Sequence, residues 1–231
     1  GRQPLFRHGP QGELLMPLVP ALPRRLHGPS IWALYVIGLC PAVWSFYLGA
    51  TGGLGVNPVK EFEHLLGLWA LRFIILTLAI TPLRDLFGIN WIRYRRALVL
   101  LAFYYVLMHF SVWMLLDLGM DFGSVFADIL KRPYITIGMV CLAALVPLAV
   151  TSNNYSIRKL GKLWIDMHHL IYPIALGGAL HYFLAVKSIT TEPFIHIAAI
   201  ALLLAYRPIR KPFLRWKRAR KTVDSPQPAP R

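Results

Sequence analysis

Six of the eight histidines lie within long apolar stretches of the sequence, and four of them stand at positions suited to a ligand: His64, His109, His168 and His181. An ionisable side chain at membrane depth is costly, so it usually faces a partner, a cavity or a cofactor. Neutral imidazole is also a common axial ligand of haem iron. The sequence therefore predicts that these four histidines are metal ligands, with haem as the expected group.

The depths of the histidines in their apolar runs indicate which of them lie close enough to share one iron. At a rise of about 1.5 Å per residue, His109 lies roughly 13 Å and His181 roughly 8 Å from the same face of the bundle, a difference that helix tilt absorbs. His109 with His181 is therefore the preferred haem pair. His64 lies close to that face and competes for the same level.

His168 stands at another level, about 20 Å from His181 along the same run, and no histidine shares its depth. Two alternatives remain for His168: a second haem with a different ligand set, or a flavin or quinone site. On an ideal helix the two side chains also point about 140° apart. Pro173 lies between them, where a kink would change that angle.

The alternative for each of these histidines is a structural role, as a hydrogen-bonded side chain between packed helices. Four histidines at suitable depths favour the ligand interpretation. For His169, next to His168, and for His196 we favour the structural role. His8 and His27 lie outside the apolar runs.

Six apolar runs carry these residues, each near the roughly 20 residues that a helix needs to cross a bilayer. The runs are Ile31 to Leu48, Phe62 to Thr81, Ala97 to Leu118, Tyr134 to Val150, Trp164 to Val186 and Ile189 to Tyr206. With 56% hydrophobic and 15% charged residues among 231, the composition is typical of an integral membrane protein. The sequence predicts an all-α fold, a polytopic helical bundle with about six transmembrane helices.

Proline positions make the fourth and sixth runs the least regular of the six. Pro147 and Pro193 interrupt or cap these short runs, so a fused pair or a re-entrant segment is the alternative there. We expect three parts in the chain: an N-terminal arm over 1–29, a transmembrane domain over 30–207 and a basic tail over 208–231. The arm lacks the pattern of a cleavable signal peptide, so we expect the first run to be a retained anchor.

The basic residues indicate the orientation of the bundle. The formal net charge is +15, but the cations sit between apolar runs and not on one face of a soluble domain, so nucleic-acid binding is not expected. Of the 25 lysines and arginines, twenty fall on one side: the N-terminal arm, the loops after the second and fourth runs, and the segment from Arg207 onward. Because positively charged loops resist translocation, both termini are predicted to be cytoplasmic.

Arg72 lies in the middle of the second run, where a charge has no reason to face lipid. Its guanidinium suits a haem propionate, a flavin phosphate or a quinone oxygen, so we predict a cofactor-binding role. The alternative is a structural ion pair with Asp85, Asp117 or Asp166.

Three arginines at the start of the third run, Arg93, Arg95 and Arg96, are predicted to bind the phosphate of FMN. The alternative is that they only set the topology. The basic and aromatic segment from Lys211 to Arg218 suits the anionic inner leaflet, so membrane lipid is an expected partner of the tail.

A series of short motifs resembles the haem-binding membrane subunits of protein-methionine-sulfoxide reductase systems, within the ferric-reductase-like transmembrane family. The resemblance covers roughly residues 30 to 206. The motifs are, in order, Gly52-Gly53-Leu54-Gly55, Asn57-Pro58-Val59-Lys60 with His64, Ile80-Thr81-Pro82-Leu83, Leu107-Met108-His109, Arg132-Pro133-Tyr134-Ile135-Thr136-Ile137-Gly138, Arg158-Lys159-Leu160-Gly161-Lys162, and His168 through His181-Tyr182.

The resemblance implies an electron-transfer subunit that binds haem b, as one group or two, and it leaves FMN open as a further cofactor. The histidines implicated in haem binding in this family fall on His109, His168 and His181. The resemblance also implies that electrons pass to a periplasmic molybdopterin enzyme of the MsrP type, which reduces methionine sulfoxide in envelope proteins. The chain would then serve an oxidoreductase system without being its catalytic subunit.

The source of the electrons is expected to be a separate protein or a quinol. Relatives that reduce substrates on their own carry a flavin and nicotinamide module, whereas no G-x-G-x-x-G unit follows the sixth run here. We therefore expect a cytoplasmic flavin reductase or the quinol pool as donor, with the chain in the bacterial inner membrane. The alternative is a proton- or ion-coupled transporter, which would tend to show internal repeats; the sequence shows none.

Overall fold

The computed structural model of the chain describes residues 23–186 and 190–223. All regular structure within these residues is helical, which confirms the expected helical membrane bundle. The helices are α1 (His27–Ala50), α2 (Pro58–Phe87), α3 (Arg95–Val112), α4 (Phe122–Lys131), α5 (Pro133–Val150), α6 (Asn154–Leu160), α7 (Lys162–His168), α8 (Ile171–Ala185) and α9 (Thr191–Val223). The N-terminal arm before residue 23, the start of the sixth run at Ile189 and the end of the tail lie outside the described residues.

Five helices within the described ranges are long and apolar enough to cross a membrane: α1, α2, α5, α3 with its flanking turns, and most of α9. The third continues beyond α3 as a π-helical segment, Trp113–Asp117. The fifth apolar run contributes none of these five, because α8 has only 15 residues and α7 only seven. The fifth apolar run is therefore not one regular helix, as the sequence predicted, but two.

Pro173 explains the break between α7 and α8. Proline has no N–H to donate to the carbonyl four residues earlier, and its ring crowds that carbonyl. Here that carbonyl belongs to His169, which accepts from the N–H of Tyr172 at 3.1 Å instead. The chain tightens into a turn over His169 and Leu170, and α8 starts at Ile171.

The runs with Pro147 and Pro193, expected to be the least regular, form continuous helices instead. Pro193 stands in the first turn of α9, where proline is tolerated because its N–H would have no partner. Pro147 lies in the last turn of α5, which ends at Val150. Helix α9 also runs on through Pro208 and Pro212 to Val223, so no break marks the expected start of the tail at residue 208.

Helix α2 lies at the centre of the bundle, where it contacts α1, α3, α8 and α9. Asn57 caps its start by accepting from the N–H of Lys60, and Pro58 occupies the first helical position, as helix starts favour. Gly88, with φ of 73°, ends the helix in a left-handed conformation that glycine adopts without strain. The deepest core side chains are Leu66, Leu78, Ile80, Leu101, Tyr105, Leu145, Leu148 and Ile200.

A buried tyrosine joins α1 to α3. The Tyr105 hydroxyl donates to the carbonyl of Gly38 at 2.7 Å and accepts from the N–H of Ala42 at 3.0 Å. These two backbone groups are the pair that an α-helix would join directly, so the hydroxyl is inserted into the ladder of α1. Gly38 permits this approach, because a Cβ there would lie 2.6 Å from Leu101 Cδ1.

Candidate functional site

A cavity of about 870 Å³ opens between α2, α3, α5 and α8, and it is lined by His64, His109 and His181. This volume is within the usual range for small-molecule and cofactor sites. Apolar side chains form much of the wall: Leu68, Leu71, Ile74, Val106, Leu142 and Leu145. The cavity is thus an apolar chamber with three imidazoles in it.

His109 is oriented by a neighbouring helix. Its Nδ1 lies 2.8 Å from the backbone carbonyl oxygen of Glu63, on α2. A carbonyl only accepts, so Nδ1 must be the protonated nitrogen. The lone pair of the neutral ring therefore lies on Nε2, which is the arrangement of a histidine that binds a metal through Nε2.

His181 repeats this arrangement against another helix. Its Nδ1 donates to the carbonyl oxygen of Tyr134, on α5, at 2.6 Å, which again leaves the lone pair on Nε2. The rings of His109 and His181 have centroids 6.0 Å apart and planes 86° apart. Two imidazoles that bind one metal ion from opposite sides, with bonds of about 2 Å, place their ring centres roughly 6 Å apart.

The donor set of this chamber fits haem better than a bare ion. Within the part of the chain that the structure describes, no three His, Cys, Asp or Glu side chains are grouped to hold a metal ion. Haem iron brings its own equatorial nitrogens and needs only axial ligands from the protein. Two imidazoles in one apolar chamber, each with the lone pair on Nε2, meet that need.

His64 lines the same cavity, as its depth in the sequence indicated. Its ring lies against Tyr182, with centroids 5.5 Å apart. Tyr182 in turn contacts His196, at 5.8 Å, and its hydroxyl lies 3.4 Å from Glu192. His196 is 8% exposed and does not line the cavity, which agrees with the structural role favoured for it.

His168 lies apart from the other three. It stacks on Trp164 with ring centroids 3.8 Å apart, and its Nδ1 donates to the carbonyl of Trp164 at 2.8 Å. Its Nε2 is buried and makes no hydrogen bond of ordinary geometry, although the backbone of Leu148 lies close to the ring. A buried polar atom without a partner is unfavourable unless a further group satisfies it. His168 is therefore a second candidate ligand at a separate place.

Two arginines, Arg95 and Arg207, lie in the region of His168 and Tyr172. Arg95 lies near enough to both His168 and Arg207 for their charges to interact. The Nε and Nη2 atoms of Arg207 and the Nη1 atom of Arg93 are buried without hydrogen-bond partners. Arg96, by contrast, donates to Asn154 at 3.1 Å. Unsatisfied guanidinium donors suit an anionic group.

Sequence reasoning counted Arg207 only among the topology-setting cations. Its guanidinium lies 5.0 Å from the ring centre of Tyr172. The one sequence signal for a special role was its place directly after the sixth apolar run.

Arg72 has a partner that the sequence reasoning did not name. Its Nη2 lies 3.9 Å from Glu192 Oε1, and its guanidinium lies over the Trp69 ring. The three aspartates considered for it pair elsewhere or show no contact with it: Asp85 pairs with Arg84 and Arg210, and Asp117 with Lys60. Glu192 lines the cavity, so Arg72 stands directly behind the cavity wall.

Charged side chains also flank the mouth of the cavity. Lys60 bonds both Asp117 and Glu63, and Arg132 donates to the Tyr134 hydroxyl at 3.3 Å. This hydrogen bond to Tyr134 raises the pKa of the Arg132 guanidinium, which therefore keeps its charge. The mouth thus offers two cations beside the chamber.

Comparison with known proteins supports a single family. Residues 66–179 match the model of the ferric reductase like transmembrane component. The chain is 62% identical over 200 residues to a protein-methionine-sulfoxide reductase heme-binding subunit MsrQ of Rhizobium meliloti, covering 87% of this chain and 93% of that protein. It is 58% identical to the MsrQ proteins of Agrobacterium fabrum, over 87% of this chain and 93% of that protein, and of Brucella ovis, over 82% and 86%.

No solved structure matches the chain. The identity to these relatives extends over nearly their whole length and includes all of the helices that form the cavity. The chain therefore belongs to the MsrQ family of heme-binding subunits of protein-methionine-sulfoxide reductases.

Proposed function

We propose that the chain is a transmembrane electron-transfer subunit whose His109 and His181 are the axial ligands of haem b. The observation that carries this proposal is the pair of cross-helix hydrogen bonds from Nδ1, at 2.8 and 2.6 Å, which leave two Nε2 lone pairs in one apolar chamber. Bound haem would supply a one-electron carrier at this level of the membrane.

The protein's own groups prepare the chamber in two ways. The carbonyls of Glu63 and Tyr134 hold both rings in one tautomer and increase their basicity as ligands. Lys60 and Arg132 at the mouth are proposed to interact with the acidic side chains of haem, although each already pairs with a carboxylate, Lys60 with Glu63 and Asp117 and Arg132 with Asp128. His64 in the same chamber is proposed as the competing ligand at this level.

A second cofactor is proposed at His168. The unpartnered Nε2 of His168 and the unpartnered donors of Arg207, which shares Arg95 as a neighbour with His168, support it. Arg93, whose Nη1 is also buried without a partner, is proposed as a further phosphate-binding group. His168 could bind the iron of a second haem or contact the ring system of FMN. The arginine donors suit the propionates of haem or the phosphate of FMN. Arg95 adds charge there, while Arg72 and Arg96 already have protein partners and remain weaker proposals.

The proposed electron route runs from the cytoplasm to the periplasm. The relatives are named as subunits of a methionine-sulfoxide reductase, so the proposed acceptor is a periplasmic molybdopterin methionine sulfoxide reductase. A cytoplasmic flavin reductase or quinol is the proposed donor. The basic side of the bundle, with both termini, is proposed to face the cytoplasm of an inner membrane.

The test is the absorption spectrum of the detergent-purified protein before and after dithionite reduction. We expect a Soret band that shifts on reduction, and its loss or gross change in His109→Ala and in His181→Ala. His196→Ala is a matched control, because His196 is also buried and also donates from Nδ1 to a carbonyl, at 2.8 Å, but lies outside the cavity. A folded wild-type protein that stays colourless when haemin is added would refute the proposal.

A further inference from the structure

We propose that Gly67 and Gly138 are positioning residues that set the orientation and tautomer of the two histidine ligands. This inference rests on the proposed function. It concerns how the protein holds each imidazole ring before haem binds. It is carried by the same local arrangement, which occurs twice on two different helices.

On α2, the carbonyl of Glu63 accepts the Nδ1 proton of His109. In an α-helix this carbonyl already pairs with the N–H four residues later, which belongs to Gly67. A side chain at Gly67 would stand between the carbonyl and the incoming ring: a Cβ there would lie 3.1 Å from Nδ1 and 3.2 Å from Cε1 of His109. The missing side chain leaves a notch that the imidazole fills.

On α5, the same spacing recurs. The carbonyl of Tyr134 accepts from His181, and the residue four positions later is Gly138. A Cβ at Gly138 would lie 2.9 Å from both Nδ1 and Cε1 of His181, closer than real contacts of this kind allow. The ring of His181 therefore fits against α5 only because residue 138 has no side chain.

The other two histidines whose Nδ1 bonds a backbone carbonyl, His168 and His196, show a different arrangement. His168 and His196 each donate from Nδ1 to the carbonyl four residues earlier in their own chain segment, at Trp164 and Glu192. Such a bond fixes a ring relative to its own helix alone. The bonds of His109 and His181 fix each ring relative to a neighbouring helix, so the distance between the two ligands is set by helix packing.

The predicted consequence of filling a notch follows from this geometry. An added methyl group pushes the ring off its carbonyl, which weakens the hydrogen bond and the basicity of Nε2. Loss of an outer hydrogen bond of this kind typically weakens metal binding about 10- to 100-fold. A less basic ligand also stabilises ferric iron less, so the reduction potential should rise. Gly138→Ala should have the larger effect, because its contact is the shorter one.

The experiment compares Gly67→Ala and Gly138→Ala with two control glycines outside the cavity. At Gly49 an added Cβ would make an ordinary contact, 3.5 Å from Leu54 Cδ1, and at Gly38 it would clash with Leu101 at 2.6 Å without touching a ligand. Each detergent-purified full chain is measured for haem-to-protein ratio, reduction potential, the electron paramagnetic resonance of the ferric form, and thermal unfolding of the haem-free protein.

The expected result is a graded loss of haem affinity and a rise in potential, with Gly138→Ala changed more than Gly67→Ala and Gly49→Ala unchanged. Gly38→Ala should lose stability but keep the wild-type spectrum and potential. Wild-type affinity, potential and resonance in both notch variants would overturn the inference, as would changes that merely parallel their loss of haem-free stability. If Gly138→Ala does not fold, the milder Gly67→Ala decides alone. A wild-type protein that binds no haem refutes the proposed function and this inference together. A wild-type protein that binds haem, with both notch variants behaving like it, refutes this inference only.

Discussion

Ring nitrogens decide what His109 and His181 can do. Both side chains present Nε2 because a backbone carbonyl on another helix accepts the proton of Nδ1. That the two rings lie close together could be predicted from their depths, since the rise per residue is fixed in a helix. The carbonyl partners did not follow, because helix rotation and packing decide which backbone oxygen a ring meets.

The burial of Arg207 could not be predicted from the sequence. Its charge is visible in the sequence, but its burial and its unpartnered Nε and Nη2 atoms depend on how α9 packs beside Tyr172 and Arg95. Arg95 interacts with both Arg207 and His168. Arg96 instead turns to Asn154.

Replacement of Arg207 by Gln should weaken the proposed second cofactor and leave the first in place. A hydrogen bond to a charged group contributes about 1.5–3 kcal/mol, which corresponds to a loss in affinity of roughly tenfold or more. Bound haem and flavin are quantified in the purified variant, with the exposed Arg215→Gln on the same helix as control. Equal cofactor content in both variants would contradict this role.

Tyr105→Phe tests the residue that links α1 to α3. Loss of the hydroxyl leaves the carbonyl of Gly38 and the N–H of Ala42 to find each other again or remain unpaired. The free energy of unfolding should fall by about 1–3 kcal/mol, the usual range for such a buried loss. Denaturation in detergent measures it, and Tyr104→Phe, at a tyrosine that is 45% exposed, is the adjacent control. A loss no greater than that of the control would speak against the bridge.

At the scale of elements, most helices could be predicted from apolar length, and the fifth run could not. An apolar run predicts a span but not the internal hydrogen bonds, and Pro173 removes one of them in the middle of this run. The resulting turn over His169 and Leu170 places His168 and His181 on separate helices. The angle of about 140° expected between the two side chains on one straight helix therefore does not apply, because they lie on two helices.

Pro173→Ala tests this break. Alanine restores an N–H that can reach the carbonyl of His169, so α7 and α8 should join and rotate His168 relative to His181. We expect the spectrum and potential of the cofactor at His168 to change while the resonance of the haem at His109 and His181 stays the same. Circular dichroism reports the added helix. An unchanged cofactor at His168 in a variant with more helix would show that the break does not place this histidine.

For the whole molecule, charge and apolar length were sufficient to predict a helical membrane bundle, and the described residues agree. The position of the cavity could not be predicted from the sequence, because the cavity forms where four helices meet and depends on contacts between residues distant in sequence. Helix α9 continues past residue 208, the expected start of the basic tail, to Val223.

The proposed orientation predicts where reporters become active. A fluorescent protein fused after residue 231 should fluoresce in the cytoplasm, because twenty cations mark that side. Alkaline phosphatase inserted next to α4, between Leu118 and Phe122, should be active in the periplasm. A non-fluorescent C-terminal fusion together with an inactive phosphatase insertion would contradict the proposed orientation and with it the direction of the electron route.

The central claim is that His109 and His181 bind one haem from its two faces. Electron paramagnetic resonance of the ferric protein tests it most directly. If both histidines are ligands, the wild type and His196→Ala should give a low-spin signal with two imidazole ligands, and this signal should disappear in both His109→Ala and His181→Ala. Survival of the same signal in either of the last two variants would refute the pairing of His109 with His181.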